Sequence, residues 1–199
     1  MMNPLVTSEA PDFTAIAVMA DNSFNEAFAL SSLRGQYVLL FFYPLDFTFV
    51  CPSEILAFHR ALDQFRERNC QVVGVSVDSH FTHLAWKNTP VNAGGIGNIQ
   101  FPLVADLDKS IAQNYGVLLP VGIALRGLFL IDKEGVVRSQ VVNDLPLGRS
   151  VDESLRVLDA LQFTEQCGDV CPANWKKGDD AMTPTAEGVA RYLADHAND

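Results

Sequence analysis

The chain has 199 residues, 48% of them hydrophobic, which suits one domain or one domain with a tail. Its formal net charge of −10 argues against nucleic acid as a partner, because a phosphate-binding surface needs clustered Lys and Arg. The sequence holds no apolar run of the roughly 18 residues that cross a membrane, and segment 1–6 does not resemble a secretory signal. We therefore expect a cytosolic protein with four reduced or redox-active cysteines.

The first half of the chain alternates predicted strands and helices. Apolar and β-branched runs predict two short strands within 13–30 around a turn at 21–23, a buried strand at 37–43 and a valine-rich strand at 71–77. Apolar steps of three and four predict a helix from Cys51 to about Asn69, and a cap at Asp78-Ser79 predicts a helix at 80–87. This alternation indicates β–α–β units with parallel strands.

The second half continues the sheet and then changes character. The predicted elements are a glycine loop at 92–98, a strand at 101–105, a helix at 109–115, a hairpin of 128–131 with 136–142, and a helix that begins after Ser150. We predict an α/β fold in which a mixed central sheet has helices on both faces. Residues 1–165 are expected to form this domain, and 166–199 a C-terminal arm with a short helix at 186–196.

The most informative stretch is Phe41 to Ile55, where a buried strand ends and a helix begins at Cys51. The N–H groups and the dipole of a helix N-terminus favour the thiolate form of a cysteine, which is the nucleophilic form. Thr48 can offer a hydroxyl to that sulfur or to a molecule bound beside it. A free cysteine used as a small hydrophobe would explain the position of Cys51 equally well.

The motif that extends from Pro44 to Ile55 decides between these interpretations. Its pattern Pro44-x-x-x-Thr48-x-x-Cys51 resembles the active-site motif of the typical two-cysteine peroxiredoxins, with Ser53 where many members have Thr. The segment Val170-Cys171-Pro172-Ala173 resembles the resolving-cysteine motif of the same family, so the resemblance spans nearly the whole chain. It implies a thioredoxin-like fold with peroxiredoxin insertions.

The resemblance also implies a mechanism without a bound cofactor or metal. The Cys51 thiolate would attack a peroxide and become a sulfenic acid, which Cys171 of another subunit would resolve to a disulfide. A thioredoxin-like dithiol would then reduce this disulfide by exchange. A homodimer, and a decamer of five dimers, are the implied assemblies.

Four further site residues follow from the resemblance. Arg126 is the candidate cation beside the sulfur, where it would stabilise the charge that develops on the leaving oxygen. Thr48 is expected to orient the peroxide oxygens, and Pro44 to shield the sulfenic acid. Glu54 is expected to hold Arg126 in place.

Several residues lie outside this scheme. Cys70 is expected to be inert packing, whereas Cys167 is either a spare thiol that competes with Cys171 or half of a zinc site without a second ligand pair. The pair His80 and His83 is interpreted as a solvated helix face. Tyr192-Leu193 replaces the Tyr-Phe pair of easily overoxidised family members, which predicts a looser arm and a Cys51 that resists overoxidation.

Three functions remain to be separated. The first is a thiol peroxidase that acts on hydrogen peroxide and small organic hydroperoxides. The second is a ring-shaped holdase chaperone or redox-signalling partner, which Cys51→Ser would leave intact. The third is a thioredoxin-like disulfide reductase, which the sequence disfavours because Cys51-Pro52-Ser53-Glu54 lacks a second cysteine.

Overall fold

The computed structural model describes residues 4–196. These residues contain seven strands: β1 (Thr14–Val18), β2 (Phe24–Ala29), β3 (Tyr37–Phe42), β4 (Cys70–Ser76), β5 (Leu103–Ala105), β6 (Arg126–Ile131) and β7 (Val137–Asn143). They also contain six α-helices: α1 (Cys51–Arg60), α2 (Leu62–Glu67), α3 (His80–Asn88), α4 (Ser110–Asn114), α5 (Val151–Cys167) and α6 (Ala186–Asp195). Contacts divide the chain into two compact units, the first ending at Val151 and the second beginning at Asp152.

The seven strands of the first unit form one sheet in the order β2-β1-β5-β4-β3-β6-β7. Strands β3, β4 and β5 are parallel neighbours, while β6 runs antiparallel to β3. The parallel pairs follow from the helical crossovers that the sequence predicted, and the antiparallel pair of β6 and β7 follows from the predicted hairpin. The predicted mixed sheet is confirmed.

Strand β3 is the centre of the first unit, because all six of its residues are buried. Side chains alternate between the two faces of a strand, so Leu40 and Phe42 lie in the core cluster that also contains Tyr115 after α4. On the other face, Phe41 stacks on Phe58 of α1 with ring centroids 4.9 Å apart. Helices therefore cover both faces of the sheet, as predicted.

The predicted and observed helices differ most between Cys51 and Asn69. The helix expected from Cys51 to about Asn69 is two helices, because the backbone at Ala61 (φ −91°, ψ 3°) ends α1 and starts α2. Phe58, Leu62 and Phe65 are all buried on either side of this break. The apolar spacing of three and four therefore continues across a break that it does not reveal.

The second unit consists of α5, an irregular segment and α6. Val170 and Met182 pair through both backbone hydrogen bonds, and Trp175 is buried with its ring 4.9 Å from that of Phe163. Helix α5 runs through the boundary predicted between 165 and 166, and the division into a domain and an arm at that point stays a prediction.

Among the described residues, no helix combines the length and apolar character that a membrane span requires.

Candidate active site

Cys51 is the first residue of α1, and its side chain is fully buried. Beyond the C-terminal end of β3, Pro44 is buried in the bend that follows Tyr43. Phe47 adopts a left-handed backbone conformation (φ +53°), which is uncommon for a residue with a side chain and reverses the loop just before Thr48. The loop thereby places Thr48 against the sulfur of Cys51.

Two donors meet the sulfur of Cys51. Thr48 Oγ1 lies 3.0 Å from Cys51 Sγ and 2.8 Å from the carbonyl oxygen of Leu45, so its single hydrogen can serve either acceptor. The guanidinium of Arg126 donates to Cys51 Sγ over 3.3 Å. Both contacts suit a thiolate, which accepts hydrogen bonds and attracts a cation.

Glu54 orients the arginine from the first turn of α1. Its carboxylate accepts a hydrogen bond of 2.7 Å from Arg126, and both side chains are almost entirely buried. Arg126 also donates to the carbonyl oxygen of Leu145 over 2.6 Å. These contacts fix the guanidinium beside the sulfur at the start of β6.

Arg149 is a member of this cluster that the sequence analysis missed. It forms a bidentate pair with Glu54 (2.8 and 3.0 Å) and donates to the carbonyl oxygens of Phe42 and Gly127 over 2.8 and 2.6 Å. Burial opposes the ionisation of Glu54, but Arg149 and Arg126 outweigh it, so the pKa of Glu54 is lowered. Arg149 stands in a loop just before α5, where no local pattern marks it.

The cluster has a charge imbalance that favours a negatively charged sulfur at Cys51. Arg126 and Arg149 are two buried cations, and Glu54 supplies only one negative charge. A thiolate at Cys51 completes the balance in a site where water screens little. The cluster can therefore hold a nucleophilic sulfur and stabilise negative charge that develops on a group bound beside it.

A second polar cluster lies next to this site and corrects the interpretation of the histidines. His83 is fully buried rather than solvated: its Nδ1 lies 2.7 Å from Asp46 Oδ2 and its Nε2 lies 3.2 Å from the carbonyl oxygen of Val104. Burial raises the pKa of Asp46, and the contact with His83 opposes that rise. His80 stays partly exposed, where it contacts the ring of Phe24.

The remaining cysteines have distinct surroundings. Cys70 is buried, and burial raises the pKa of its thiol to about 12, which suits inert packing. Cys171 lies half-buried in the second unit, with its sulfur 3.8 Å from the carbonyl oxygen of Ala160. Cys167 is exposed at the end of α5. Among residues 4–196, no group of three or more His, Cys, Asp or Glu side chains could hold a metal.

The chain is similar to known proteins over nearly its whole length. Residues 6–140 match the model of the AhpC/TSA family, and residues 160–194 match the C-terminal domain of 1-Cys peroxiredoxin. The chain is 56% identical to peroxiredoxin-2 of Mus musculus, over 98% of each chain, and 55% identical to alkyl hydroperoxide reductase C of Helicobacter pylori, over 97% of this chain and 98% of that protein.

A solved structure extends the similarity to three dimensions. The reduced 2-Cys peroxiredoxin of Plasmodium vivax superimposes with a TM-score of 0.94 at 56% sequence identity. The match covers 96% of this chain and 100% of that one.

Proposed function

The chain belongs to the AhpC/TSA family of peroxiredoxins and is a thiol-dependent peroxidase, and we propose that Cys51 is its peroxidatic cysteine. The observation that carries this proposal is the convergence of Thr48 and Arg126 on Cys51 Sγ, at 3.0 and 3.3 Å. The thioredoxin-like peroxiredoxin fold that the resemblance implied is confirmed by the same membership.

The first step is a displacement at oxygen. The Cys51 thiolate attacks one peroxide oxygen, the O–O bond breaks, and the second oxygen leaves with the electron pair and takes a proton as water or an alcohol. Arg126 stabilises the negative charge on that oxygen, and the Thr48 hydroxyl turns from Leu45 toward the peroxide. Pro44 keeps water from the sulfenic acid that remains on Cys51.

The second step is resolution by Cys171. Its thiolate attacks the sulfenic acid of Cys51, a disulfide forms between two subunits, and hydroxide leaves as water. Burial, followed by the nearby Cys167, raises the pKa of Cys171, while Arg156 opposes the rise. A dithiol of the thioredoxin type then reduces the disulfide by exchange.

Exposed apolar side chains support the proposed homodimer and decamer. Strand β7 is an edge of the sheet, and Val141 and Val142 on it are 40% and 42% exposed. Phe24 and Phe81 form a separate aromatic patch with ring centroids 5.9 Å apart. The open edge of β7 and the aromatic patch suit an assembly that pairs chains and then joins pairs. A cytosolic location is part of the proposal, because all four cysteines are unpaired.

A coupled assay tests the proposal. Peroxide consumption is followed through NADPH with a thioredoxin system, for the wild type, Cys51→Ser and Cys171→Ser. We expect turnover to be lost in both variants, and a peroxide-induced disulfide-linked dimer in the wild type alone. Turnover that survives in Cys51→Ser would refute the peroxidatic assignment.

The relatives do not favour a holdase or a signalling partner as the main function.

A further inference from the structure

The sulfurs of Cys167 and Cys171 both contact backbone carbonyl groups of α5. Cys167 Sγ donates to the carbonyl oxygen of Phe163 over 2.8 Å, and Cys171 Sγ lies 3.8 Å from the carbonyl oxygen of Ala160. Carbonyl groups three residues apart on a helix are separated by about 4.5 Å along its axis. The two sulfurs therefore occupy neighbouring positions beside the last turns of the helix.

The backbone between the two cysteines reverses direction, which brings Cys171 back toward Cys167. Gly168 has a left-handed backbone (φ +76°), and its N–H closes the last turn of α5 on the carbonyl oxygen of Thr164 over 3.0 Å. Val170 is then held by its backbone pair with Met182, so the chain returns along the helix. A disulfide needs Cα atoms within about 7 Å, which a reversal of this length allows.

The two thiols differ in exposure and in charge. Cys167 is exposed, so a protein reductant can reach its sulfur, whereas Cys171 is half-buried. Arg156 interacts electrostatically with Cys171 while it binds Glu153 through two bonds of 2.6 and 2.7 Å. A cation next to Cys171 suits a sulfur that leaves as a thiolate when the pair is reduced.

We propose that Cys167 and Cys171 form a redox-active dithiol that receives the disulfide from Cys51 and passes it to a dithiol reductant of the thioredoxin type. The proposal rests on the proposed function, in which Cys171 resolves the sulfenic acid. It gives the exposed Cys167 a catalytic part in the recycling of the enzyme.

The exchange needs no further reactant inside the protein. The Cys167 thiol loses its proton to solvent and its thiolate attacks Cys171 Sγ in the Cys51–Cys171 disulfide. A Cys167–Cys171 bond forms, the bond to Cys51 breaks, and Cys51 leaves as a thiolate that accepts hydrogen bonds from Thr48 and Arg126.

Reduction then proceeds at the exposed sulfur. One thiolate of the reductant attacks Cys167 Sγ, and Cys171 leaves and takes a proton. The second thiol of the reductant breaks the mixed disulfide, so the reductant becomes a disulfide and Cys167 becomes a thiol again.

A single-turnover experiment without reductant tests the relay. Full-length wild type, Cys167→Ser, Cys171→Ser and, as a matched control for the loss of a thiol, Cys70→Ala each receive one equivalent of hydrogen peroxide per chain. Samples are quenched with acid at successive times, alkylated and run on non-reducing gels. The tryptic peptide that ends at Lys176 and contains both Cys167 and Cys171 is weighed from the same samples.

We expect the linked dimer to form and then disappear in the wild type and in Cys70→Ala, while their peptide becomes lighter by two hydrogen atoms and escapes alkylation. In Cys167→Ser the linked dimer should persist. A linked dimer that persists equally in the wild type and in Cys167→Ser, with both thiols of the wild-type peptide never joined, would overturn the relay and leave the proposed function intact. A linked dimer in Cys171→Ser would instead overturn the resolving role of Cys171.

Discussion

Arg149 shows how one residue supports the chemistry of others without touching the reacting sulfur. It supplies the bidentate partner of Glu54, and Glu54 in turn holds Arg126 over 2.7 Å. We predict that Arg149→Met lowers the free energy of unfolding by about 3 kcal/mol, because it removes one partner of a buried ion pair. Urea denaturation measures this loss, and stopped-flow fluorescence measures the slower oxidation of Cys51 by peroxide.

An exposed arginine provides the control for this prediction. Arg66 pairs with Asp63 over 3.0 Å, but both side chains are more than half exposed. Arg66→Met is therefore expected to change stability by less than about 1 kcal/mol and to leave the oxidation rate unchanged. Equal losses in the two variants would contradict the role given to Arg149.

The residues of the site could be predicted only where a motif marks them. Cys51, Thr48 and Arg126 were placed from local patterns and from the family resemblance, and the structure brings them together. Arg149 was missed because its partners come from α1, β3 and β6, far away in the sequence. His83 was wrongly placed on a solvated face because its burial depends on Asp46, which lies 37 residues away.

Helix α3 carries a second buried polar side chain that lends itself to a pH test. The side chain of Lys87 donates to the carbonyl oxygen of Met19 over 2.5 Å, and Lys87 is only 2% exposed. Burial lowers the pKa of Lys87 to about 8, against the opposing effect of Asp21. The folded state therefore releases this proton more easily than the unfolded state, whose lysine pKa is about 10.4.

The difference in the pKa of Lys87 between the folded and unfolded states determines how stability changes with pH. The cost of burying the ammonium is complete below about pH 8 and is relieved as the pH rises toward about 10.4. We predict that Lys87→Met is more stable than the wild type near neutral pH, because the carbonyl oxygen of Met19 keeps a second donor in the N–H of Asn22. Urea denaturation at about pH 7.5 and about pH 9.5 should show this advantage shrinking. An advantage that is constant with pH would contradict the prediction.

Helix α6 carries the residue pair Tyr192-Leu193, which we expect to affect the overoxidation of Cys51. Leu193 is 58% exposed, and Tyr192 next to it stacks on His196 with ring centroids 4.1 Å apart. The family resemblance implies that an aromatic side chain at 193 would hold the arm more firmly and slow resolution. We predict that Leu193→Phe accumulates Cys51 sulfinic acid at lower peroxide than the wild type does, as measured by intact mass. The matched variant Val189→Phe, on the same helix, should accumulate sulfinic acid only at the peroxide concentration that the wild type requires. If Leu193→Phe also requires that concentration, the interpretation is wrong.

Whole elements were predicted better than their ends. Strands β3 and β4 were placed within one residue at each end because buried parallel strands are continuous apolar runs. The break between α1 and α2 was missed because Ala61 is neither proline nor glycine and the apolar spacing continues past it. A break of this kind is set by packing, which a one-dimensional pattern does not record.

At the scale of the whole molecule, the exposed aromatic patch allows a test of the proposed assembly into a decamer. Phe81 is 67% exposed and lies against Phe24 and His80. We predict that Phe81→Asp stops the association of dimers into decamers, because a carboxylate there would be buried without a partner. Sedimentation velocity measures the assembly.

Leu107 offers the matched control for Phe81. It is 66% exposed and has no place in the aromatic patch, so Leu107→Asp should sediment as the wild type does. A Phe81→Asp protein that still forms the wild-type assembly would assign the contact between dimers to another surface. An equal defect in both variants would show that added charge, rather than the patch, controls assembly.

The most direct test of the whole account is the location of the first sulfenic acid. The variant Cys171→Ser cannot complete the proposed resolution, so one equivalent of peroxide in the presence of dimedone should trap the intermediate. Peptide mass analysis is expected to find the adduct on Cys51 alone, with Cys70 and Cys167 unmodified. An adduct on Cys167 with Cys51 unmodified would contradict the account, because the contacts from Thr48 and Arg126 would then surround a sulfur that does not react.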